Sequence, residues 1–231
     1  DAKQFLQVLK NIQASSAHLE NSLAIVEWNI DKIYLAALQK NEVNIVPTLW
    51  CDNFEAQQLA GYFGHFGQQQ IVIKPRISAN ADNTFWLKKD NYNKQIVAIT
   101  EAFSNRQFMV QPFMQNIVDE GEYSLFYFNG QYSHAILKSP KDNDFRVQEE
   151  HGGQIIAIEP ETLLLEQATK TLKVLSNIHQ VPLYARVDFV RDQQGFALME
   201  AELIEPSLYF NMDSRSAKRF ALAFDQRMNT L

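Results

Sequence analysis

The stretch Tyr184-Ala185-Arg186-Val187-Asp188-Phe189, with its return Met199-Glu200-Ala201-Glu202-Leu203-Ile204-Glu205-Pro206, decides the fold class. Alternate residues of a strand share a face, so Arg186 and Asp188 project one way while Val187 and Phe189 enter apolar packing. The same rule sets Glu200 and Glu202 on one face and Met199, Ala201 and Leu203 on the other. Carboxylates two apart on a strand stand about 6 to 7 Å from each other, and a turn from Asp192 to Gly195 returns Glu200 close to Asp188. Three carboxylates and one guanidinium converge. Such crowding is costly unless a cation sits among the carboxylates. Mg2+ suits the position, with Mn2+ as a substitute, because it takes oxygen ligands and shares them with phosphates. The bland reading of the same segment is a sheet surface with its charges in water.

Outward from this segment, GEYSLFYF (121–128), the Asn129-Gly130 turn and QYSHAILK (131–138) form the strongest hairpin signal in the chain. A two-residue turn sets Leu125 opposite His134 and Gly121 opposite Lys138. Strands are also expected at 43–48, 71–75, 85–87, 108–113 and 154–160. Helices are expected over Phe5 to Ile12, over 30–38 with Asn29 as the cap, from Asp52 or Asn53, from Asp90 to Phe103, after Pro160, and from Asp213. Gly61, Gly64 and Gly67 do not match a phosphate-binding glycine loop and read as a fraying helix end. Antiparallel hairpins interleaved with helices give the α+β class.

The 231 residues, 46% hydrophobic and 21% charged, are those of a folding chain with no low-complexity linker. A net charge of −6 without a basic block speaks against nucleic acid or an anionic membrane as partner. The lone Cys51 and five histidines without ligand spacing exclude a structural zinc site. No apolar run is long enough to span a bilayer, and the start lacks both a signal peptide and an initiator Met. The chain therefore reads as cytoplasmic, with its true N-terminus missing.

Two further cations are candidates for phosphate. Lys74 ends the apolar strand IVIKP ahead of a small-polar loop, and Arg146 in FRVQEEHGG precedes Gly152-Gly153, whose backbone can approach an anion closely. Taken alone, Lys74 reads first as a solvated strand end and Arg146 as part of a surface turn.

Taken in order, WNIDKIYLAAL with VPT, IVIKPRISANADNT, QPFM, DEGEYSLFYFNGQYSHAILK, FRVQEEHGG, YARVDFV and MEAELIEPSLYF resemble the ATP-grasp superfamily. The closest likeness is to its glutathione-synthetase-like branch of carboxylate-amine ligases, over about residues 22 to 210. The resemblance implies an ATP-grasp fold, two α+β lobes clamping a nucleotide between antiparallel sheets. Residues 1–46 would be the remnant of an N-terminal lobe with a linker helix, 47–111 the small lobe, and 112–231 the large lobe with the metal site. It also implies that Lys74 holds nucleotide phosphates and that Gln111, Pro112, Phe113 and Met114 form the hinge that receives adenine. Glu122 would hold the ribose and Lys138 make a further phosphate or adenine contact. Arg146 and Arg186 would be the catalytic arginines, and Asp188, Glu200 and Glu202 the metal ligands. His134 reads as a packed or partly exposed histidine.

Three departures stand out: the loop after Lys74 has no glycine, Glu202 stands where many relatives have asparagine, and few residues precede VPT. The activity implied is an ATP-dependent carboxylate-amine ligase that works through an acyl phosphate and releases ADP and phosphate. Its partners would be a small carboxylate and an amine, with a homodimer as the default assembly. The alternative is a non-catalytic ATP-binding regulatory module of the same fold. A glycoside hydrolase lacks the flanking sugar-binding aromatics.

Overall fold

The computed structural model describes residues 1–78, 81–141, 147 and 152–230. The chain divides into two compact units, Ile45–Gln115 and a larger one formed by Asp1–Asn44 with Asn116–Leu231. Both are α+β, and both sheets are wholly antiparallel.

The N-terminal residues form α1 (Ala2–Gln13), α2 (Leu23–Asn29) and α3 (Tyr34–Lys40). The helix expected over 30–38 thus begins only at Tyr34, after a turn at 30–33, and Asn29 ends α2 instead of capping the next helix. Its buried amide is needed elsewhere, on the sheet edge described below. The strand expected at 43–48 is reduced to an isolated bridge at Ile45, because Pro47 brings no N–H to a ladder. Pairing begins instead at β1 (Leu49–Cys51).

The smaller unit continues with α4 (Leu59–Phe66), β2 (Gln70–Pro75), β3 (Phe85–Lys88), α5 (Ile96–Phe103) and β4 (Phe108–Pro112). Its strand order is β1-β4-β2-β3. Both helices start later than expected, each behind a short 3-10 turn, at 56–58 and 92–95. Gly67, at φ +64°, terminates α4. Alternation in β2 buries Ile71 and Ile73 against Leu59, Phe63, Ile99, Phe103 and Phe108, leaving Lys74 on the other face.

After α6 (Asn116–Asp119), the larger unit builds its sheet from β5 (Glu122–Phe128), β6 (Gln131–Ser139), β7 (Gln154–Ile158), β8 (Tyr184–Asp192) and β9 (Gly195–Glu202). The order is β7-β6-β5-β8-β9. The helix α7 (Thr162–Ile178) carries Leu164, Ala168, Leu172 and Leu175 on one buried stripe and packs on β9 and α3. The closing helix α8 (Ser216–Met228) starts three residues later than expected and lies against β5 and β6.

Strand β9 is an edge whose free backbone groups would be costly if buried unpaired. Side chains of the N-terminal segment complete it. The Asn29 amide donates to the Ala201 carbonyl (2.8 Å) and accepts from Leu203 N–H (3.1 Å). Ala201 N–H donates to the Tyr34 hydroxyl (2.8 Å), and the Asn21 amide donates to the carbonyls of Leu203 and Tyr184.

Each hairpin carries one irregularity that matters. In β5–β6 the register shifts at Phe126/Tyr127, so Phe126 faces His134, Leu125 faces Ala135 and Glu122 faces Lys138. The expected pairs Leu125 with His134 and Gly121 with Lys138 are off by one residue, because Ser133 is bulged out. In β8–β9 the bulged residue is Met199, which puts Glu200 directly opposite Asp188 and Glu202 opposite Arg186. Gly121 lies just outside the ladder at φ +123°, and a Cβ there would stand 2.6 Å from the Lys138 carbonyl oxygen, so only glycine fits.

Candidate active site

These registers place one row of side chains across the sheet at His134, Phe126, Arg186 and Glu202, and a second at Ile136, Ser124, Asp188 and Glu200. Glu122 and Lys138 follow as the next pair. All lie on one face, because they are spaced by two along their strands or paired across them.

Arg186 is the centre. Its Nε donates to both oxygens of Asp188 (3.0 and 3.2 Å), its Nη2 to Asp188 and to Glu202, and its Nη1 reaches the Ser207 carbonyl at 3.4 Å. Asp188 also accepts from the Ser124 hydroxyl (2.5 Å), with the Lys138 ammonium 3.8 Å away. Lys138 is ion-paired with Glu122. Lys32, just ahead of α3, pairs with Glu200 at 3.2 Å. Exposure is graded: the side chains of Asp188 and Lys138 are 4% and 6% exposed, those of Glu202 and Glu200 28% and 33%. The acidic face therefore opens at β9.

Burial and charge set the protonation of the group. Burial pushes Asp188 up, but Arg186 first and then Lys138 and Ser124 bring its carboxyl below the usual range. Burial also opposes the charge on Lys138, yet Asp188 and Glu122 hold its ammonium above the ordinary value. For Glu122 burial outweighs the attraction of Lys138, and its carboxyl rises. Glu202 is pushed up to about 8, by burial and by the like charges of Asp188 and Glu200, against the pull of Arg186.

In the smaller unit Lys74 sits on β2 opposite Met109. The buried amide of Gln111 donates to the Thr48 hydroxyl (2.9 Å), Pro112 pairs with Ile71, and Phe113 N–H donates to the Gln70 carbonyl while its ring stacks on Trp86 at 4.5 Å. Met114 is half-buried, next to last in this unit. The structure thus gathers Arg186, Asp188, Glu200, Glu202, Glu122 and Lys138 on one sheet face, and carries Lys74 and Gln111 to Met114 on the other unit. Arg146, the loop residues 79–80 and the segment 148–151 lie outside the described residues.

Residues 31–179 match the family model described as prokaryotic glutathione synthetase, ATP-grasp domain. The chain belongs to that family. It is 26% identical over 220 residues, 89% of its own length and 72% of the relative's, to the cycloserine biosynthesis protein DcsG of Streptomyces lavendulae. The crystal structure of D-cycloserine synthetase DcsG superposes with a TM-score of 0.86 at 24% identity, covering 97% of this chain and 78% of that one. D-alanine–D-alanine ligase from Bacillus anthracis superposes at 0.69 and 15% identity, covering 96% and 74%. The protein is an ATP-grasp ligase, of the class that forms C–N bonds, and its two antiparallel sheets are those of the ATP-grasp fold.

Among the described residues of this ATP-grasp ligase, no helix is long and apolar enough to cross a membrane. Nor do three or more Asp, Glu, His or Cys side chains form a ready metal cage among them. The three β8–β9 carboxylates are instead engaged by Arg186 and Lys32. As a donor set they still fit a hard divalent cation: all are oxygens on one face, partly open, and crowded enough to raise Glu202.

That crowding has a stability consequence. A carboxyl whose folded value lies above its unfolded one binds more protons folded than unfolded, so its contribution falls as pH rises from about 4.5 through 8. Asp188, shifted the other way, contributes fully above its unfolded value and loses that only in acid. Glu202→Gln should therefore raise the melting temperature of the ligand-free protein most at pH 9, less at pH 6, and change it little at pH 4. Equal shifts at pH 4 and pH 9 would show that Glu202 is not held protonated.

Sequence reasoning missed Lys32, Ser124 and the Asn21–Asn29–Tyr34 brace. Lys32 lies within WNIDKIYLAAL, but nothing in helix periodicity points a lysine at a strand some 170 residues later. Ser124 carries one visible signal, a small hydroxyl residue set among the large apolar and aromatic side chains of β5.

Proposed function

We propose that this ligase joins a small carboxylate to an amine through an acyl phosphate, releasing ADP and phosphate. The reading is carried by the Arg186 row: a buried guanidinium bound to Asp188 and Glu202, at the edge where the acidic face opens. Lys74, Gln111 to Met114, Glu122 and Lys138 are proposed to hold the nucleotide, with Arg146 on the phosphates. Asp188, Glu200 and Glu202 would hold Mg2+, or Mn2+ in its place, which when bound neutralises phosphate oxygens. Arg186 then stabilises the charge that develops as the substrate carboxylate oxygen takes the terminal phosphoryl group. Phosphoryl transfer of this kind needs positioning and charge stabilisation, and no nucleophile from the protein. The amine then attacks the acyl carbon and phosphate leaves.

The intact protein with ATP, Mg2+, hydroxylamine and a panel of D- and L-amino acids and dipeptides should form a hydroxamate with an equal amount of ADP. ATP with Mg2+ should also raise the melting temperature, by the equivalent of about 2.7 kcal/mol at a hundredfold excess over Kd, while Mg2+ alone does little. AMP with pyrophosphate would overturn the acyl phosphate. A thermal shift without ADP would favour the regulatory module.

A further inference from the structure

One buried polar group on the charged face takes no part in that scheme. His134 is 4% exposed, its ring stacked on Phe126 at 4.2 Å and 7°, in the same row as Arg186 with the strand of Phe126 between them. Its Nε2 lies 3.1 Å from the Leu208 carbonyl oxygen, and its Nδ1 lies 2.9 Å from the Ser133 hydroxyl. A carbonyl only accepts, so Nε2 carries the proton and Nδ1 accepts from Ser133. Burial lowers the pKa of the imidazole, so the neutral ring is the working form. Ser133 is in turn approached by Arg219 (3.4 Å), which is bound to Asp213 (2.8 Å).

The segment that His134 holds is unusual. Between β9 and α8 the chain folds back over the charged face, with Glu205 and Tyr209 both in the left-handed region at φ +44° and +46°. Two such residues are unfavourable, and the shape persists only where its surroundings impose it. Consecutive carbonyls of this loop are held by side chains of one row: Ser207 by Arg186 and Leu208 by His134. Ser207 itself is exposed beside the guanidinium.

We propose that His134 is a positioning residue for the ligation reaction, fixing the Ser207–Leu208 backbone against Arg186 so that the loop presents the acyl substrate to the guanidinium. The inference rests on the ligase reading for its catalytic half, while the clamp itself is testable without a substrate. The Ser133 bulge belongs to the same device, since it turns His134 into the row of Arg186 and supplies the hydroxyl that sets the tautomer.

His134→Phe keeps the stack on Phe126 and removes the donor; His134→Gln restores an N–H of similar reach. The Phe variant should bind ATP with Mg2+ as the parent does, with an unchanged thermal shift. With hydroxylamine and the amino acid the parent selects from the panel, its KM for that amino acid should rise about tenfold with kcat within about threefold, and the Gln variant should recover. Chymotrypsin should cut the Phe variant after Leu208, Tyr209 or Phe210 about tenfold faster than the parent and the Gln variant. Parent-like KM and cleavage in the Phe variant, or a Gln variant as impaired as the Phe one, would overturn the role. A parent without hydroxamate activity fails the ligase reading and its catalytic half, and cleavage then decides the clamp.

Discussion

Glu200→Gln should reduce ATP-dependent hydroxamate formation by about 10^3-fold or more, the scale on which loss of one transition-state charge contact acts. The change removes a charge and keeps the volume. Glu200 is a third exposed, but its partner Lys32, 3.2 Å away, is buried and loses a counter-charge. Removing Glu200 also relieves its repulsion with Glu202, so the melting temperature should fall only modestly. Asp188→Asn should be nearly as damaging to turnover but should also destabilise, because Asp188 is buried and Arg186, Lys138 and Ser124 all converge on it. Circular dichroism melting beside the hydroxamate assay separates the two effects. Normal turnover by the Glu200→Gln protein would remove the acidic face from the reaction.

Lys138→Met should be the most destabilising substitution on this face. Lys138 is buried between Glu122 and Asp188, and removing one partner of a buried ion pair costs about 3 to 5 kcal/mol because the remaining charge is left unpaired. Glu122, already raised by burial, would rise further and take a proton. A proton bound in the folded state and absent in the unfolded one makes stability fall as pH rises, so the loss should be greater at pH 9 than at pH 6. Adding Glu122→Gln to Lys138→Met removes the orphaned charge and should recover much of the stability. Urea unfolding of both variants checks this, and a Lys138→Met protein as stable as its parent would show that the Glu122–Lys138 pair contributes nothing net.

Strand periodicity was enough to place Arg186 and Asp188 on one face and Glu200 and Glu202 on one face, because side chains alternate strictly with period two. The same periodicity misjudged the helix over 30–38, where apolar spacing continues although the backbone breaks between Asn29 and Tyr34. It also misjudged 43–48, where buried Val43, Ile45 and Val46 have the composition of a strand without its ladder. In both places burial against a distant part of the chain imitates the pattern of a local element.

The sequence by itself determined the α+β class, the two hairpins with their tight turns, and the chemical character of the face, since these depend on alternation and turn chemistry that each segment carries alone. Tertiary structure alone decided which charges meet. Without the bulge at Met199, Asp188 would stand opposite an apolar residue in place of Glu200. Without the bulge at Ser133, Lys138 would stand opposite Gly121 in place of Glu122, and His134 would leave the row of Arg186. A bulge inserts one residue into one strand and inverts every facing beyond it, and its position is set by the packing of the whole sheet and the segments laid over it, which no local window contains.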